Sequence, residues 1–434
     1  MTIISGTADF QDGFQGLLQE QTSVVGKTYT MPIVKLSTDS MPLDQSGRLI
    51  TRDTYSAFGE MLSVNPMPQA AWQFDYGVIT RFISTTGTSG GGSVGAIESR
   101  GYVDTGTSPT GTAQMTAIKP VRHFPGFGVV SRFTAVFNTG IANSIQYIGV
   151  GDSGDGLYFG YDGVNFGVLR RRDNVEFWVH QDNWNGEQVD FSPQLGNVYQ
   201  IRYQWLWFGN IYFYVFDKAK RVFVNVHTVY YPNTSVSVHI LNPTIKITAR
   251  VQNTGNTSAI RLYSPSATGA TEGITKSKYT SPLDISNSYN ANATYTDANK
   301  NHLLTIRNKI TLNGVENRVP IRITSIDLSR QGGAGTAQTT TVQIHKNAVT
   351  ASALTFTDID TPNSPAEASA TTTTITSSSP RRTYLMSLNS TDKFIDLSDE
   401  AILVLPGESL SISIQDSGVQ STQFFGTANW VEEF

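Results

Sequence analysis

The alternation of apolar and polar positions is clearest in residues 131–179, and it predicts a run of antiparallel β-strands. Short segments rich in Val, Ile, Phe and Tyr alternate with small or polar residues. Turn signals fall at residues 138–140, 151–156, 162–163 and 173–174. They leave strands of about 5–8 residues, typical of tight antiparallel connections. Each strand then has one apolar face, and we expect a second sheet to cover it.

Similar patterns continue beyond this run. Residues 96–263 contain about ten such segments and no helical period, and more follow from residue 302. We therefore predict an all-β protein: a concanavalin/laminin-G-like jelly-roll sandwich followed by a second, smaller jelly-roll-like β-sandwich, with an extended N-terminal arm.

The segment boundaries are predicted from where the apolar pattern weakens. Residues 1–90 are poor in core-forming side chains and end in a Gly/Ser/Thr stretch, which indicates an anchoring arm and linker. Residues 91–265 are expected to form the lectin-like sandwich. Residues 266–300 are rich in Ser, Thr and Asn and are interpreted as a connection. Residues 301–434 are expected to form the C-terminal sandwich.

Composition narrows the function. Charged residues make up 15% of the chain, against about 25% in typical domains. A polar but weakly charged surface suits packing beside other chains, because fewer charges must be desolvated. A net charge of −4 gives no basic field for nucleic acid, and the absence of cysteine excludes disulfides and thiolate metal sites.

Targeting signals are also missing from the sequence. The first residues lack a signal-peptide pattern, and no apolar run approaches the roughly 18 residues of a membrane span. We therefore expect synthesis in a host cytoplasm and no membrane partner.

A glycine-rich segment, residues 149–156, contains Asp152 and Asp155. Carboxylates grouped on such a loop could hold a hard cation. The alternative is that both aspartates form turns by bonding to their own backbone. The same segment matches G-x-G-x-x-G, but a strand follows it where a dinucleotide site needs a helix. No cofactor is expected.

Trp184 lies in a polar loop, with Asn183 and Asn185 on either side. An exposed indole beside amides is a common grip for sugar rings. These three residues are therefore a candidate glycan contact, with packing against the sandwich as the alternative for Trp184.

Catalytic residues are not expected. Glycosidases need a pair of carboxylates facing one substrate. Glu176, on a predicted strand, has no second carboxylate two or four positions away. The prediction is a protein that is not an enzyme.

Eight short motifs are spread over residues 50–265, about half of the chain. They are SAFGE at 56–60, RHFPGFG at 122–128, RFTA at 132–135, GVGD at 149–152, GLYF at 156–159, QDNWN at 181–185, QWL at 204–206 and LNPTIK at 241–246. Together they resemble motifs of tailed-phage and large-virus virion proteins known as head-fibre, tail-fibre or capsid-associated proteins. Glu60 stands where that group usually has arginine.

The resemblance implies a non-enzymatic structural component of a virion, held to the capsid or a vertex by its arm. Its partners would be major capsid, vertex or tail proteins. The closing segment, residues 429–434, is similar to the last strand of viral jelly rolls, which implies a homotrimer. The alternative is a tail-associated receptor-binding fibre that recognises host glycan. A polysaccharide depolymerase is a third possibility.

Overall fold

The computed structural model describes twelve stretches of the chain: residues 18–24, 27–33, 66–85, 88–204, 208–272, 283–295, 299–331, 339–377, 380–386, 392–400, 402–416 and 422–434. These residues form strands and one turn of 3-10 helix, Gln181–Asn183, and they contain no α-helix. The all-β prediction is confirmed. The chain divides into two compact units, Met1–Lys276 and Ser277–Phe434.

The strands of the first unit are numbered in chain order. They are β1 (Leu18–Val24), β2 (Lys27–Ile33), β3 (Met67–Gln73), β4 (Ile83–Ser84), β5 (Ser93–Ile97), β6 (Arg100–Asp104), β7 (Thr112–Ala117), β8 (Gly128–Ala135), β9 (Ser144–Gly151), β10 (Gly156–Asp162), β11 (Asn165–Arg172), β12 (Val175–His180), β13 (Asn197–Gln204), β14 (Ile211–Asp217), β15 (Val222–Val229), β16 (Ile247–Asn253), β17 (Arg261–Ser264) and β18 (Ser266–Thr271).

Two antiparallel sheets form the sandwich of this unit. One has the order β12-β11-β10-β9-β16-β7-β4 and the other β15-β14-β13-β8-β18-β3. Aromatic rings pack between their inner faces. The ring centroid of Phe159 in β10 lies 4.9 Å from that of Tyr199 in β13 and 5.4 Å from that of Phe213 in β14. A three-stranded sheet, β17-β6-β5, and the β1-β2 hairpin complete the described strands of the unit.

The predicted meander is present as the consecutive hairpins β9-β10-β11-β12. Between β11 and β12, Asp173 and Asn174 have φ of 50° and 64°. Two central residues with positive φ define the type I′ turn, whose twist matches the flanking strands. The Asp-Asn signal in the sequence therefore marked this hairpin correctly.

The structure places the boundaries of the sandwich outside residues 91–265. β3, from the predicted arm, pairs with β18, and β18 pairs with β8. Trp72 of β3 is buried, and its indole N–H donates to the Ser264 hydroxyl at 3.1 Å. Apart from β1, β2 and the 66–85 stretch, most of the predicted arm lies outside the described residues.

β18 was not predicted as a strand because its side chains are small. A Cβ at Gly269 would lie 2.3 Å from Cγ2 of Val121, so the close approach requires glycine there. Ala267 and Ala270 of the same strand are buried. Ser, Thr, Ala and Gly here form a core strand where the sequence pattern indicated a linker.

The second unit has fifteen described strands. They are β19 (Ile285–Tyr295), β20 (Asn301–Asn308), β21 (Thr311–Leu312), β22 (Val315–Glu316), β23 (Ile321–Gln331), β24 (Thr340–Lys346), β25 (Val349–Thr350), β26 (Thr357–Asp358), β27 (Ala366–Ser369), β28 (Ile375–Ser377), β29 (Arg382–Met386), β30 (Asp392–Asp396), β31 (Leu403–Val404), β32 (Ser409–Asp416) and β33 (Thr422–Glu432).

These strands form a second sandwich, as predicted. One sheet has the order β19-β33-β23-β30, with β31 also paired to β23, and the other has the order β26-β27-β20-β32-β24-β29. A shared core joins them, including Trp430 of β33 and Ile412 of β32. β19 lies within the predicted 266–300 connection, so that segment supplies one strand to each unit. No helix in the described ranges has the length and apolar character needed to cross a membrane.

Candidate functional site

A cleft of about 330 Å³ opens on the loop that follows β12. Its lining consists of Gln181, Asp182, Trp184, Gly186, Glu187, Gln188 and Val189. The single 3-10 turn Gln181–Asn183 starts the loop, and the Trp184 N–H closes it by donating to the Gln181 carbonyl at 3.1 Å. The predicted Trp184 loop is therefore a concave surface with a mainly polar lining.

Trp184 is half-buried and belongs to both the core and the cleft. Its ring stacks nearly parallel to Phe191, with centroids 6.5 Å apart, and meets Phe159 and Phe166 edge-on. The indole N–H donates to the Val179 carbonyl at 3.1 Å. These contacts fix the ring, so any ligand would meet an indole that is already oriented.

The loop is fastened to the outer edge of β15. The Asn185 amide accepts the Thr228 N–H at 2.8 Å and donates to the Thr228 carbonyl at 2.9 Å, as a strand neighbour would. The Gly186 N–H donates to the Val226 carbonyl at 3.0 Å. A Cβ at Gly186 would lie 2.3 Å from the carbonyl oxygen of Asn225, so the loop can lie this close only with glycine.

The predicted glycan contacts divide into two groups. Trp184 lines the cleft, whereas the exposed Asn183 lies outside its lining and the Asn185 side chain is used to hold the loop. The polar residues that do line it, Gln181, Asp182, Glu187 and Gln188, were not singled out from the sequence. The sequence did contain a signal for them, because several amide and carboxylate side chains lie within a few residues of one tryptophan.

The polar lining can bond to hydroxyl groups. Carboxylates accept hydrogen bonds, and amides both donate and accept them. Glu187 also pairs with Lys220 at 2.7 Å, with both side chains largely exposed. An indole beside exposed amides and carboxylates suits a neutral polyhydroxyl ligand better than an anion.

Asp152 and Asp155 occupy a second region, here called the loop cluster, with Asn242. Asp155 is buried, and its carboxylate accepts the N–H groups of Leu241 and Asn242, both at 3.0 Å. Asp152 accepts the N–H groups of Gly154 and Asp155 at 2.8 Å and the Asn242 amide at 3.1 Å.

These bonds support the turn interpretation over the cation loop. The carboxylate oxygens that a cation would use already accept amide donors from two loops. Tyr158 also contacts the cluster, because its hydroxyl donates to the Asp152 carbonyl at 3.2 Å. Burial raises the pKa of this phenol. The described residues contain no group of three or more His, Cys, Asp or Glu side chains positioned to hold a metal.

Glu176, considered above for glycosidase chemistry, lies at an ion pair. One carboxylate oxygen accepts from the Arg171 guanidinium at 2.5 Å, and the other accepts the Trp178 indole N–H at 3.0 Å. Arg171 in turn donates to the Tyr147 hydroxyl at 3.1 Å. The carboxylate orients its neighbours on the sheet, which is a structural use.

Comparison with known proteins returns remote structural similarities. No family model matches the chain, and no curated protein matches it. A glycosyl hydrolase family protein from Mycobacterium fortuitum is 10% identical, with 48% of this chain and 100% of that chain covered and a TM-score of 0.33. A legume lectin-like domain from Entamoeba histolytica is 13% identical, with coverages of 44% and 90% and a TM-score of 0.28.

Proposed function

We propose that this protein is a non-enzymatic structural component of a virus particle. Its N-terminal part would anchor to the capsid or a vertex, and its two β-sandwiches would be displayed outward. Its partners would be capsid, vertex or tail proteins of the same particle. Short motifs that resemble those of virion proteins are the basis of this proposal.

The observation that carries the proposal is the loop cluster. Three of the resembling motifs, GVGD, GLYF and LNPTIK, supply it: Asp152 from the first, Tyr158 from the second and Asn242 from the third. Their polar atoms bond to one another and to nearby backbone. Motif residues that make such contacts maintain the shape of the fold, which supports a structural role for the protein.

Host attachment through a glycan is the second candidate function, and the cleft favours it. Trp184 is fixed by its ring contacts, and four exposed or half-buried polar side chains surround the same cleft. A single contact of this size binds weakly, but many copies on one particle would convert it into useful avidity. This is the chemistry expected of a receptor-binding fibre.

The particle role is tested by quantitative mass spectrometry of purified particles of the virus that encodes the chain. We expect the chain in fixed stoichiometry with the major capsid protein, and resistant to removal by high-salt washing. Its presence in infected-cell lysate but not in purified particles would contradict the proposal. Release of reducing ends from a capsular polysaccharide by the purified chain would contradict the non-enzymatic assignment.

The cleft is tested on a glycan array with the whole chain. Asp182→Ala and Gln188→Ala change exposed lining residues and leave the core untouched. Asn183→Ala is the matched control, because this exposed amide belongs to the same loop but lies outside the lining. Glycan binding should fall in the first two variants and persist in the third. Glycan binding that is unchanged in all three variants would exclude the cleft as the glycan-binding site.

A further inference from the structure

β19 forms one end of the β19-β33-β23-β30 sheet. It pairs with β33 over eleven consecutive positions without a register shift, from Ile285 opposite Glu432 to Tyr295 opposite Thr422. Within the described parts of the chain, no other strand pairs with it. Its outer row of backbone N–H and C=O groups is therefore a long, regular template for another strand.

The seven other sheet ends of the two sandwiches, as far as they are described, each carry a feature that discourages pairing with another chain. These features are Pro68 in β3, Glu176 in β12, Arg382 in β29, Asp392 and Lys393 in β30, the two-residue lengths of β4 and β26, and the 185–187 loop bonded along β15. β19 is eleven residues long and contains no proline, glycine or charged residue.

The missing charge is informative about the partner. With 15% of the chain charged, a strand of this length would be expected to carry one or two charged residues. In a two-fold pairing, residues near the centre face themselves or close neighbours, so any like charge there would be repelled. A neutral strand of Ser, Asn, Thr, Ala and Tyr avoids this repulsion, and it offers no charge for a differently charged partner to recognise.

We propose that β19 is the interface through which two copies of this chain associate, each adding its β19 antiparallel to the other. With the two-fold axis at Asn290, residue 288 of one copy lies opposite residue 292 of the other, and the two sheets become one continuous sheet. The exposed row of Ser286, Ser288, Asn290, Asn292 and Thr294 then forms a polar ladder on one face. The half-buried Tyr289 and Ala293 extend the apolar face on the other.

This interface differs from the trimer implied by the closing strand. β33, which contains most of that segment, lies between β19 and β23 and has both edges occupied. It therefore offers no backbone edge to another copy. A two-fold pairing of β19 closes after two chains and predicts an even number of copies.

The test is the mass of the whole chain by analytical ultracentrifugation over a concentration series. We expect a dimer for the natural sequence. Ser288→Lys combined with Asn292→Lys places lysine opposite lysine twice and should give a monomer. Ser288→Lys combined with Asn292→Glu places lysine opposite glutamate twice and should restore the dimer.

Gln423→Lys is the control, since it adds a lysine one strand further in, on β33, away from the proposed interface. This variant should remain a dimer. A monomeric or trimeric natural chain, or a dimer that survives the double lysine change, would overturn the proposal. Circular dichroism of each variant checks that the fold is intact. Amide hydrogen exchange should show faster exchange in β19 of the double lysine variant.

Discussion

The carboxylate of Asp155 accepts the backbone N–H of Asn242 at 3.0 Å, although 87 positions separate the two residues. Asn242 reciprocates through its own amide, which donates to Asp152 at 3.1 Å. The β9-β10 loop and the segment before β16 are therefore held together by partly buried charge-assisted hydrogen bonds, which are stronger than neutral ones. These bonds link the LNPTIK motif, through Asn242, to Asp152 of GVGD and to Asp155 in the loop between GVGD and GLYF, which supports a structural use of these motifs.

Asp155→Ala should destabilise the first unit by about 1–3 kcal/mol, because the N–H groups of Leu241 and Asn242 lose their charged acceptor. Urea unfolding followed by tryptophan fluorescence measures the change. Asp162→Asn is the control, since this carboxylate is about half exposed and should matter little. Equal loss of stability in both variants would show that the loop cluster has no special role.

Calcium should leave the thermal stability of the protein unchanged. The Asp152 and Asp155 oxygens already accept amide donors, so a cation would have to displace those bonds. Differential scanning calorimetry with excess calcium and with EDTA checks this. A melting temperature that rises with calcium, and no longer does so in Asp152→Ala, would establish the cation site considered in the sequence analysis.

Trp184→Ala should cost about 2–3 kcal/mol of stability, because the ring packs against Phe159, Phe166 and Phe191. Asp182→Ala, an exposed neighbour in the cleft, should change stability by no more than about 0.5 kcal/mol. Chemical denaturation of both variants separates packing from ligand binding. If Trp184→Ala were as stable as the natural chain, the ring would not be part of the core.

The second unit should lose stability as the pH falls from 6.5 towards 4. Burial, with a smaller contribution from Lys300, lowers the pKa of His345 from 6.5 to about 4. Burial also lowers the pKa of His302. Between these pH values the unfolded chain binds protons that the folded chain does not, so acid favours unfolding.

For His345 alone the loss amounts to about 2–3 kcal/mol. Unfolding of the whole chain at a series of pH values measures it. His345→Gln removes the titrating group while keeping a polar side chain beside the Ser413 hydroxyl, which now lies 2.9 Å from the imidazole. This variant should show a weaker pH dependence. An unchanged slope would place the titrating group elsewhere.

The sequence predicted the strands whose side chains alternate between large apolar and polar residues. In β14, Ile211, Phe213 and Val215 are buried at every second position, as the pattern requires. β18 and β19 were missed because small and polar side chains in a strand resemble those of a linker. Gly269 had to be small to fit against Val121, a long-range contact that local periodicity does not encode.

The loop that forms the cleft could be identified from the sequence, but the contacts of each of its side chains could not. Trp184 stood out as an indole in a polar loop, and it does line a cleft. Asn185 looked equally suited to bind a ligand, but its amide is bonded to Thr228, 43 positions away. Local spacing therefore identified the loop, whereas the use of each amide depended on a strand that only the fold brings close.

The proposed particle role is best tested by electron cryomicroscopy of purified particles of the virus that we propose encodes the chain. We expect density at regularly repeated positions on the capsid, a vertex or the tail, into which each of the two β-sandwich units fits. Particles whose density is fully explained by other proteins, with no place for either sandwich, would contradict it.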